Sequence, residues 1–298
     1  MNLDLDAALA AVADRLPGTL GVAIRYLPDG PTFALNADRP FPPASVIKVP
    51  VLVEVFAQAA TGHLDLAQRI PLRAEDRVGG SGVLQYLGPG LEPSVRDLAE
   101  LMIGVSDNTA TNVLIELVGV AAVNARLRSL GLERTTLAGK LGLSYPVEDA
   151  PANPAIDPQV PSNRGSTTTP AEMCRLFELL WRGEVVDEEA SRAMIRILEH
   201  QTFMELARYL PLDDLTEEDG RTASRVRIAS KSGSINGVRN DVAMITAHTP
   251  SGTRAYIVSA FTRDVQDEQL WTPENVALLA IGEVSRLAYR YLLDVLAA

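Results

Sequence analysis

Strand-like and helix-like patterns are unevenly distributed along this chain of 298 residues. Two strand-like runs near the N-terminus flank the turn signal Pro28-Asp29-Gly30, and three more lie near the C-terminus. The long stretch between them is mostly helical in pattern. Strands from both ends must join one sheet if each is to bury its apolar face, which limits the fold strongly. The predicted strands span residues 20–26, 32–35, 226–230, 241–248 and 255–261.

We therefore predict an α/β (α+β) fold with an antiparallel sheet built from both chain ends, flanked by terminal helices, and with an inserted all-helical lobe. The sheet lobe is expected to comprise residues 1–37 and 222–298, and the helical lobe residues 38–221. The last helix is expected to begin at Thr272-Pro273, with Thr272 as its N-cap. Proline-rich residues 145–161 predict a stiff loop, and acidic residues 213–220 predict another.

Charge and cysteine content exclude several function classes. The net charge of −11 and the pI near 4.8 argue against nucleic-acid binding. The single cysteine, Cys174, has helical spacing and is expected to be a buried structural thiol. The scattered histidines have no metal-ligand spacing, so neither a metal nor another cofactor is expected. The histidines are His63, His200 and His248.

The N-terminal residues contain no secretory signal, and no run is apolar enough to span a membrane. The chain is therefore expected to be soluble and not membrane-bound. As given it is expected to be cytoplasmic, or periplasmic or secreted if the sequence is a mature form. It is also expected to be a monomer.

A nucleophile and its base are predicted at Ser45-Val46-Ile47-Lys48. Pro42 and Pro43 keep the approach non-helical, and an apolar helical run follows. Residues i and i+3 share a helix face, so Lys48 is expected beneath the Ser45 hydroxyl. A lysine amine in an apolar wall loses hydration, which favours the neutral form that accepts a proton. Alone, this spacing also fits an N-cap serine followed by a surface lysine.

Two later polar triplets lie where loops are expected to meet helices and strands. Ser106-Asp107-Asn108 separates two amphipathic runs, and Lys231-Ser232-Gly233 ends a strand-like run and opens into a glycine-bearing turn. The three motifs, in this order, resemble the signature of class A β-lactamases and other penicillin-recognising active-site serine hydrolases. Ser232 replaces the threonine of that signature. The resemblance covers nearly the whole chain and implies a β-lactamase/transpeptidase-like fold.

The resemblance also implies roles for the polar residues. Ser106 would relay a proton toward the leaving nitrogen, and Asn108 would hold Lys48 or the substrate amide. Lys231 and Ser232 would bind a substrate carboxylate. The backbone N–H groups of Ser45 and Ser234 would form the oxyanion hole. The predicted catalytic residues are Ser45, Lys48 and Ser106, and the predicted substrate-binding residues are Asn108, Lys231, Ser232, Gly233 and Ser234.

Three other features have structural interpretations. Asp107 is expected to cap the following helix. Arg239 is interpreted as a solvated strand-end arginine, with carboxylate binding as the alternative. The glycine-rich residues 78–86 lack the strand–loop–helix setting of a phosphate site and are expected to line a cleft.

One departure from the family pattern concerns the omega loop, expected at about residues 138–166. Class A enzymes resolve the acyl-enzyme with a glutamate there. Counting along the pattern leads to Leu141 and Gly142 from one side and to Asn153 from the other, and none is acidic. The remaining acidic candidates in the loop are Glu148, Asp149 and Asp157.

We therefore expect a serine β-lactamase-like hydrolase with weak deacylation. Its substrate is expected to be a small β-lactam, peptide or ester that carries a carboxylate. One alternative is a D,D-peptidase or esterase-like hydrolase, and another is a β-lactam-binding sensor domain without turnover.

Overall fold

The computed structural model describes residues 3–88, 90–142, 165–212, 215–218, 221–249, 251–266 and 272–296. The chain divides into two compact units. Unit 1 comprises Met1–Val46, Thr169–Glu178 and Met204–Ala298, and unit 2 comprises Ile47–Thr168 and Leu179–Phe203. The lobe limits at residues 37/38 and 221/222 stay a prediction.

Unit 1 contains a five-stranded antiparallel sheet. The described strands are β1 (Thr19–Leu27), β2 (Thr32–Leu35), β3 (Leu215–Glu218), β4 (Arg221–Ser224), β5 (Val226–Ile235), β6 (Val238–Thr249) and β7 (Gly252–Arg263). The strand order in the large sheet is β2-β1-β7-β6-β5, and β1 pairs with β7 along its whole length. The predicted antiparallel sheet from both chain ends is therefore confirmed.

The described helices are α1 (Leu5–Arg15), α2 (Lys48–Ala60), α3 (Val95–Gly104), α4 (Asn108–Val118), α5 (Val120–Ser129), α6 (Pro170–Arg182), α7 (Glu188–Glu199) and α8 (Val276–Tyr291). The two terminal helices, α1 and α8, pack on each other and belong to the core that covers one face of the sheet. Leu9 of α1, Val258 of β7 and Ile281 of α8 are completely or almost completely buried in this core. Burial of each such side chain stabilises the fold by about 1.5–3 kcal/mol.

The start of α8 differs from the prediction. Asn275, not Thr272, is the N-cap, because its Oδ1 accepts the N–H groups of Ala277 and Leu278 at 3.2 and 3.3 Å. The Asn275 N–H donates to the Thr272 carbonyl oxygen at 3.2 Å, so these residues form a turn before the helix. Asparagine is as good an N-cap as any residue, so its position overrides the Thr-Pro signal.

The predicted acidic loop is also partly wrong. Residues 215–218 of this segment form strand β3, which pairs with the following strand β4 in a separate antiparallel hairpin with Thr216 opposite Ala223. Backbone pairing with a neighbouring strand outweighs the low strand propensity of the acidic residues.

Unit 2 is helical, with α2 as its central helix. Every residue of α2 from Lys48 to Ala57 is buried. The described residues between α2 and α3 contain two 3-10 turns and no α-helix, because this stretch is rich in glycine and proline. Among the described residues no single helix is long and apolar enough to cross a membrane; α4 and α5 pass that test only as a pair bent by 79°.

Candidate active site

The predicted site residues fall into two groups. Ser45 and residues 231–234 belong to unit 1, whereas Lys48, Ser106 and Asn108 belong to unit 2. Each group is held together by contacts inside its own unit.

Ser45 lies in the 3-10 turn Ala44–Ile47, which leads directly into α2 at Lys48. Ala44 has a φ of +47°, a left-handed conformation that is uncommon for a residue with a side chain. The sequence analysis places Ser45 and Lys48 on one α-helix, but the α-helix begins only at Lys48. Pro50 has no N–H to donate to the carbonyl four residues earlier, so the preceding turn adopts the tighter 3-10 form.

Gly233 brings strand β5 against the backbone of Ser45. A Cβ atom at Gly233 would lie 2.7 Å from the Ser45 nitrogen and 2.8 Å from the Pro43 carbonyl oxygen, so only glycine fits there. Because β5 is an edge strand of the sheet, alternate N–H groups of this strand point away from β6. Unit 1 therefore places the backbone of Ser45 beside the edge strand of the sheet.

Lys231 is completely buried inside β5. Its Nζ donates a hydrogen bond to the Ser232 carbonyl oxygen at 2.8 Å. Burial lowers the pKa of Lys231 to about 7, although the charge of Asp241 acts in the opposite direction. Asp241 is buried as well, and its Oδ2 accepts the Leu206 N–H at 2.9 Å. Burial raises the pKa of Asp241 to about 7.

The prediction that the Lys-Ser-Gly motif ends its strand is wrong. β5 continues through Ser234 to Ile235 because residues 232–234 pair with residues 239–241 of β6. The turn lies instead at Gly237, whose φ is +71°. Ser234 is exposed, whereas Ser232 is buried.

Arg239 is not a solvated strand-end residue. It is only 3% exposed, and its Nη1 donates to the carbonyl oxygens of Ile235 and Val238 at 2.6 and 2.7 Å. These bonds hold the guanidinium at the β5–β6 turn, so the solvated interpretation is wrong.

In unit 2, Lys48 is buried and surrounded by oxygen acceptors. Its Nζ donates to the Ser106 carbonyl oxygen at 2.6 Å, to the Ser106 Oγ at 3.0 Å and to the Asn108 Oδ1 at 2.9 Å. Lys48 has no exposed surface. Lys48 of the first motif therefore contacts Ser106 and Asn108 of the second, and its amine lies against a hydroxyl to which it can pass a proton.

Asp107 fixes the shape of the loop that carries Ser106 and Asn108. Its Oδ1 accepts the Ala110 N–H at 2.9 Å, which confirms the predicted N-cap of α4. Its Oδ2 accepts the N–H groups of Val83 and Leu84 at 2.7 and 2.8 Å. Ser106 has a φ of +56°, and the surrounding bonds maintain this uncommon conformation.

The glycine-rich loop of residues 78–86 packs on the same loop. Asn108 donates from Nδ2 to the Gly79 carbonyl oxygen at 3.1 Å and from its backbone N–H to the Ser81 carbonyl oxygen at 3.0 Å. A Cβ at Gly82 would collide with Asp107 at 2.3 Å. The glycines thus allow close packing against Asp107 and Asn108.

The acidic candidates Glu148, Asp149 and Asp157 lie outside the described residues. The two ends of that segment are joined, since Thr136 and Thr167 exchange backbone hydrogen bonds at 2.9 and 3.2 Å. Leu141 is buried near this neck.

Asn112 has a structural role that the sequence did not indicate: it holds the backbone of Leu141. Its side chain accepts the Leu141 N–H at 2.7 Å and donates to the Leu141 carbonyl oxygen at 2.9 Å. Asn112 lies one turn beyond Asn108 on α4, and this helical spacing was the only available signal.

The single cysteine is not among the polar groups described above. Cys174 is buried, as predicted, and burial raises its pKa to about 12, so the thiol is unreactive at neutral pH. Among the described residues no three His, Cys, Asp or Glu side chains are placed to hold a metal ion.

Comparison with known proteins gives consistent results. The β-lactamase L2 of Stenotrophomonas maltophilia is 30% identical over 255 residues, covering 80% of this chain and 74% of that protein. The crystal structure of a β-lactamase from Sphaerobacter thermophilus matches with a TM-score of 0.78 and 36% identity, covering 96% of this chain and 95% of that one. A mutant of PBP-A, in an acyl-enzyme complex with penicillin G, matches with a TM-score of 0.74 and 27% identity over 96% of this chain and 94% of that one. The model of the β-lactamase enzyme family matches residues 4–292. The chain therefore belongs to the β-lactamase enzyme family.

Proposed function

We propose that this serine hydrolase opens β-lactam-type cyclic amides through an acyl-enzyme on Ser45. The observation that carries the proposal is the buried Lys48 amine, which is hydrogen-bonded to Ser106 and Asn108 and follows Ser45 by three residues. The relatives support the substrate class, since two are β-lactamases and a third was captured as an acyl-enzyme with penicillin G.

Acylation begins when the Ser45 Oγ attacks the carbonyl carbon of the amide. Lys48 accepts the Ser45 proton, and the amide oxygen becomes an oxyanion that the N–H groups of Ser45 and Ser234 stabilise. Each such donor contributes about 3 kcal/mol to lowering the barrier.

The oxyanion then collapses, and the carbon–nitrogen bond breaks. Ser106 donates its hydroxyl proton to the leaving nitrogen and regains a proton from Lys48, whose Nζ lies 3.0 Å from the Ser106 Oγ. Lys48 returns to the neutral amine, and Ser45 carries the acyl group.

The substrate carboxylate is assigned to Lys231 and Ser232. Lys231 is fully buried, and burial lowers its pKa to about 7 by disfavouring the charged form, so a bound anion would stabilise the ammonium. Gly233 lets the strand approach Ser45 closely enough for this carboxylate subsite to lie beside the nucleophile.

Deacylation is expected to be the slow step of the reaction. Counting along the family pattern leads to Leu141 and Gly142 from one side and to Asn153 from the other, and none of these side chains can act as a general base; the acidic candidates Glu148, Asp149 and Asp157 lie outside the described residues. General base catalysis typically contributes about 10²–10⁴-fold, so the acyl-enzyme is expected to be long-lived.

The apolar Leu141 also favours a second candidate function, that of a D,D-peptidase or esterase-like hydrolase. Such an enzyme would acylate readily with penicillin and turn it over slowly. The similarity to PBP-A is consistent with this alternative.

One experiment tests the nucleophile and separates the candidates. The protein is incubated with benzylpenicillin, intact mass is followed over time, and Ser45→Ala is the control. We expect one covalently bound penicillin per chain, absent in Ser45→Ala, and slow hydrolysis of a chromogenic cephalosporin. Faster turnover of a D-Ala-D-Ala peptide or thioester than of either β-lactam would favour the second candidate. Absence of both an adduct and hydrolysis would contradict the proposal.

A further inference from the structure

A surface cavity of about 430 Å³ lies between α1 and α8 in unit 1. Its floor is apolar, with Val12 and Leu16 from α1 and Leu279 and Ala280 from α8. Its volume falls within the range of about 300–1,000 Å³ found for small-molecule sites. None of its lining residues has a role in the proposed hydrolysis.

Tyr209 forms the wall of the cavity because the preceding segment packs tightly on α8. A Cβ at Gly282 would lie 2.9 Å from the Arg208 Cδ and 3.1 Å from the Tyr209 Cε2. The absence of a side chain at Gly282 thus lets the tyrosine ring approach the helix. Tyr209 is 44% exposed and Leu279 is 36% exposed, so apolar surface remains open to solvent at this point.

Charged groups lie among the apolar residues that line the cavity. Arg286 forms a bidentate ion pair with Glu283, with nitrogen–oxygen distances of 2.6 and 2.7 Å. The hydrogen bonds from Arg286 lower the pKa of Glu283, so this pair is neutral as a whole at pH 7. Arg15 also lines the cavity and acts on the Glu283 carboxylate through its charge, without a hydrogen bond to it.

The cavity therefore carries one surplus positive charge on a chain whose net charge is −11. A positive group beside an apolar surface complements an anion with a hydrocarbon body, since the anion pairs with the guanidinium while the body displaces water from the floor.

We propose that this cavity is a binding site for amphipathic monoanions, specifically carboxylates with a medium-length aliphatic chain. The carboxylate is placed on Arg15, and the chain lies along Leu16, Leu279 and Ala280 against Tyr209. The site does not depend on Ser45, so its occupancy is independent of the proposed hydrolase function.

Isothermal titration of the full chain with decanoate, below its micelle concentration, tests the site. Decyltrimethylammonium serves as a probe with the same chain and the opposite charge. We expect one decanoate per chain with sub-millimolar affinity and binding of the cationic probe that is at least about tenfold weaker, because like charges repel. Arg15→Glu should weaken decanoate binding at least about tenfold.

Two further variants complete the design. Ala280→Trp fills the cavity and should abolish binding. Arg254→Glu changes an exposed arginine on β7 and should leave binding unchanged. Circular dichroism verifies that each variant is folded. If Ala280→Trp does not fold, Arg15→Glu alone tests the site. Absence of decanoate binding, equal binding of both probes, or binding that Arg15→Glu does not weaken would each overturn the proposal.

Discussion

Lys48 and Ser106 are joined by two hydrogen bonds, from the Lys48 Nζ to the Ser106 carbonyl oxygen at 2.6 Å and to its Oγ at 3.0 Å. Ser106 itself has a φ of +56°, an uncommon conformation for a residue with a side chain. The amine therefore contacts both the hydroxyl that would receive its proton and the backbone that holds this hydroxyl in place. A buried lysine with these partners is costly to retain for stability alone, which is why we assign it a chemical role.

Replacing Lys48 by methionine should slow acylation by about 10²–10⁴-fold, the usual contribution of a general base. Methionine fills a similar apolar volume but accepts no proton. The rate is measured as formation of the penicillin adduct by mass spectrometry. Lys140→Met, which removes a lysine paired with Glu116, is the matched control and should leave the rate unchanged. Equal rates in the two variants would exclude Lys48 as the base.

Gly233→Ala should slow acylation by about 10²-fold or more, the cost of losing one oxyanion donor. The added methyl group would lie 2.7 Å from the Ser45 nitrogen and 2.8 Å from the Pro43 carbonyl oxygen, so β5 and the Ser45 turn must separate. Gly88→Ala is the control, because no atom lies within 4 Å of a Cβ there. An unchanged acylation rate in Gly233→Ala would show that this close approach has no function.

Acylation by carboxylate-bearing β-lactams should decline as the pH rises above about 7, because burial lowers the pKa of Lys231 to about 7. The ammonium is present below this pH and lost above it, and kcat/KM reports groups of the free enzyme. A β-lactam methyl ester should not show this decline, because it has no carboxylate to bind. Lys231→Arg keeps its charge and should remove the decline. A decline shared by acid and ester would assign the ionisation to another group.

Much of the fold and of the site could be predicted because the signals are local. Alternating apolar residues indicated the strands of the sheet, and Asp107 before an apolar run indicated the N-cap of α4. The spacing of Ser45 and Lys48 alone also fitted an N-cap serine and a surface lysine, and only its order with the two later polar triplets indicated a nucleophile and base. Such signals depend on residues a few positions apart, and local backbone geometry decides them.

Contacts between distant segments could not be predicted in the same way. Arg239 looked solvated even though its acceptors are close in sequence, because only the geometry of the β5–β6 turn directs the carbonyl oxygens of Ile235 and Val238 toward its guanidinium. The hydrogen bonds between Asn112 and Leu141 join residues 29 positions apart, and no periodicity marks them. The need for glycine at position 233 likewise depends on the Ser45 turn, which only the folded chain brings near.

Asp107→Ala should destabilise the protein more than the loss of an ordinary helix cap. Asp187 caps α7 through one bond to the Ala190 N–H, and Asp187→Ala should cost about 1 kcal/mol. Asp107→Ala loses a similar cap and also leaves the N–H groups of Val83 and Leu84 without their acceptor, for a total of about 2–4 kcal/mol. Urea unfolding of both variants measures the difference. Equal losses would show that the two bonds to the glycine-rich loop add no stability.

Leu141→Glu should shorten the lifetime of the penicillin acyl-enzyme by about 10²-fold or more, because it introduces a carboxylate that can act as a general base. Leu141 lies where one of the two counts along the family pattern places a glutamate, and Asn112 holds its backbone on both the N–H and carbonyl sides. Since Asn112 and Asn108 lie one turn apart on α4, and Asn108 contacts Lys48, a carboxylate at position 141 is anchored to the helix that carries part of the site. Adduct decay by mass spectrometry and steady-state hydrolysis measure the effect. Leu141→Gln has nearly the same shape without a basic carboxylate and should leave the lifetime long. If both variants hydrolysed penicillin equally fast, slow deacylation would have a cause other than the absent acid.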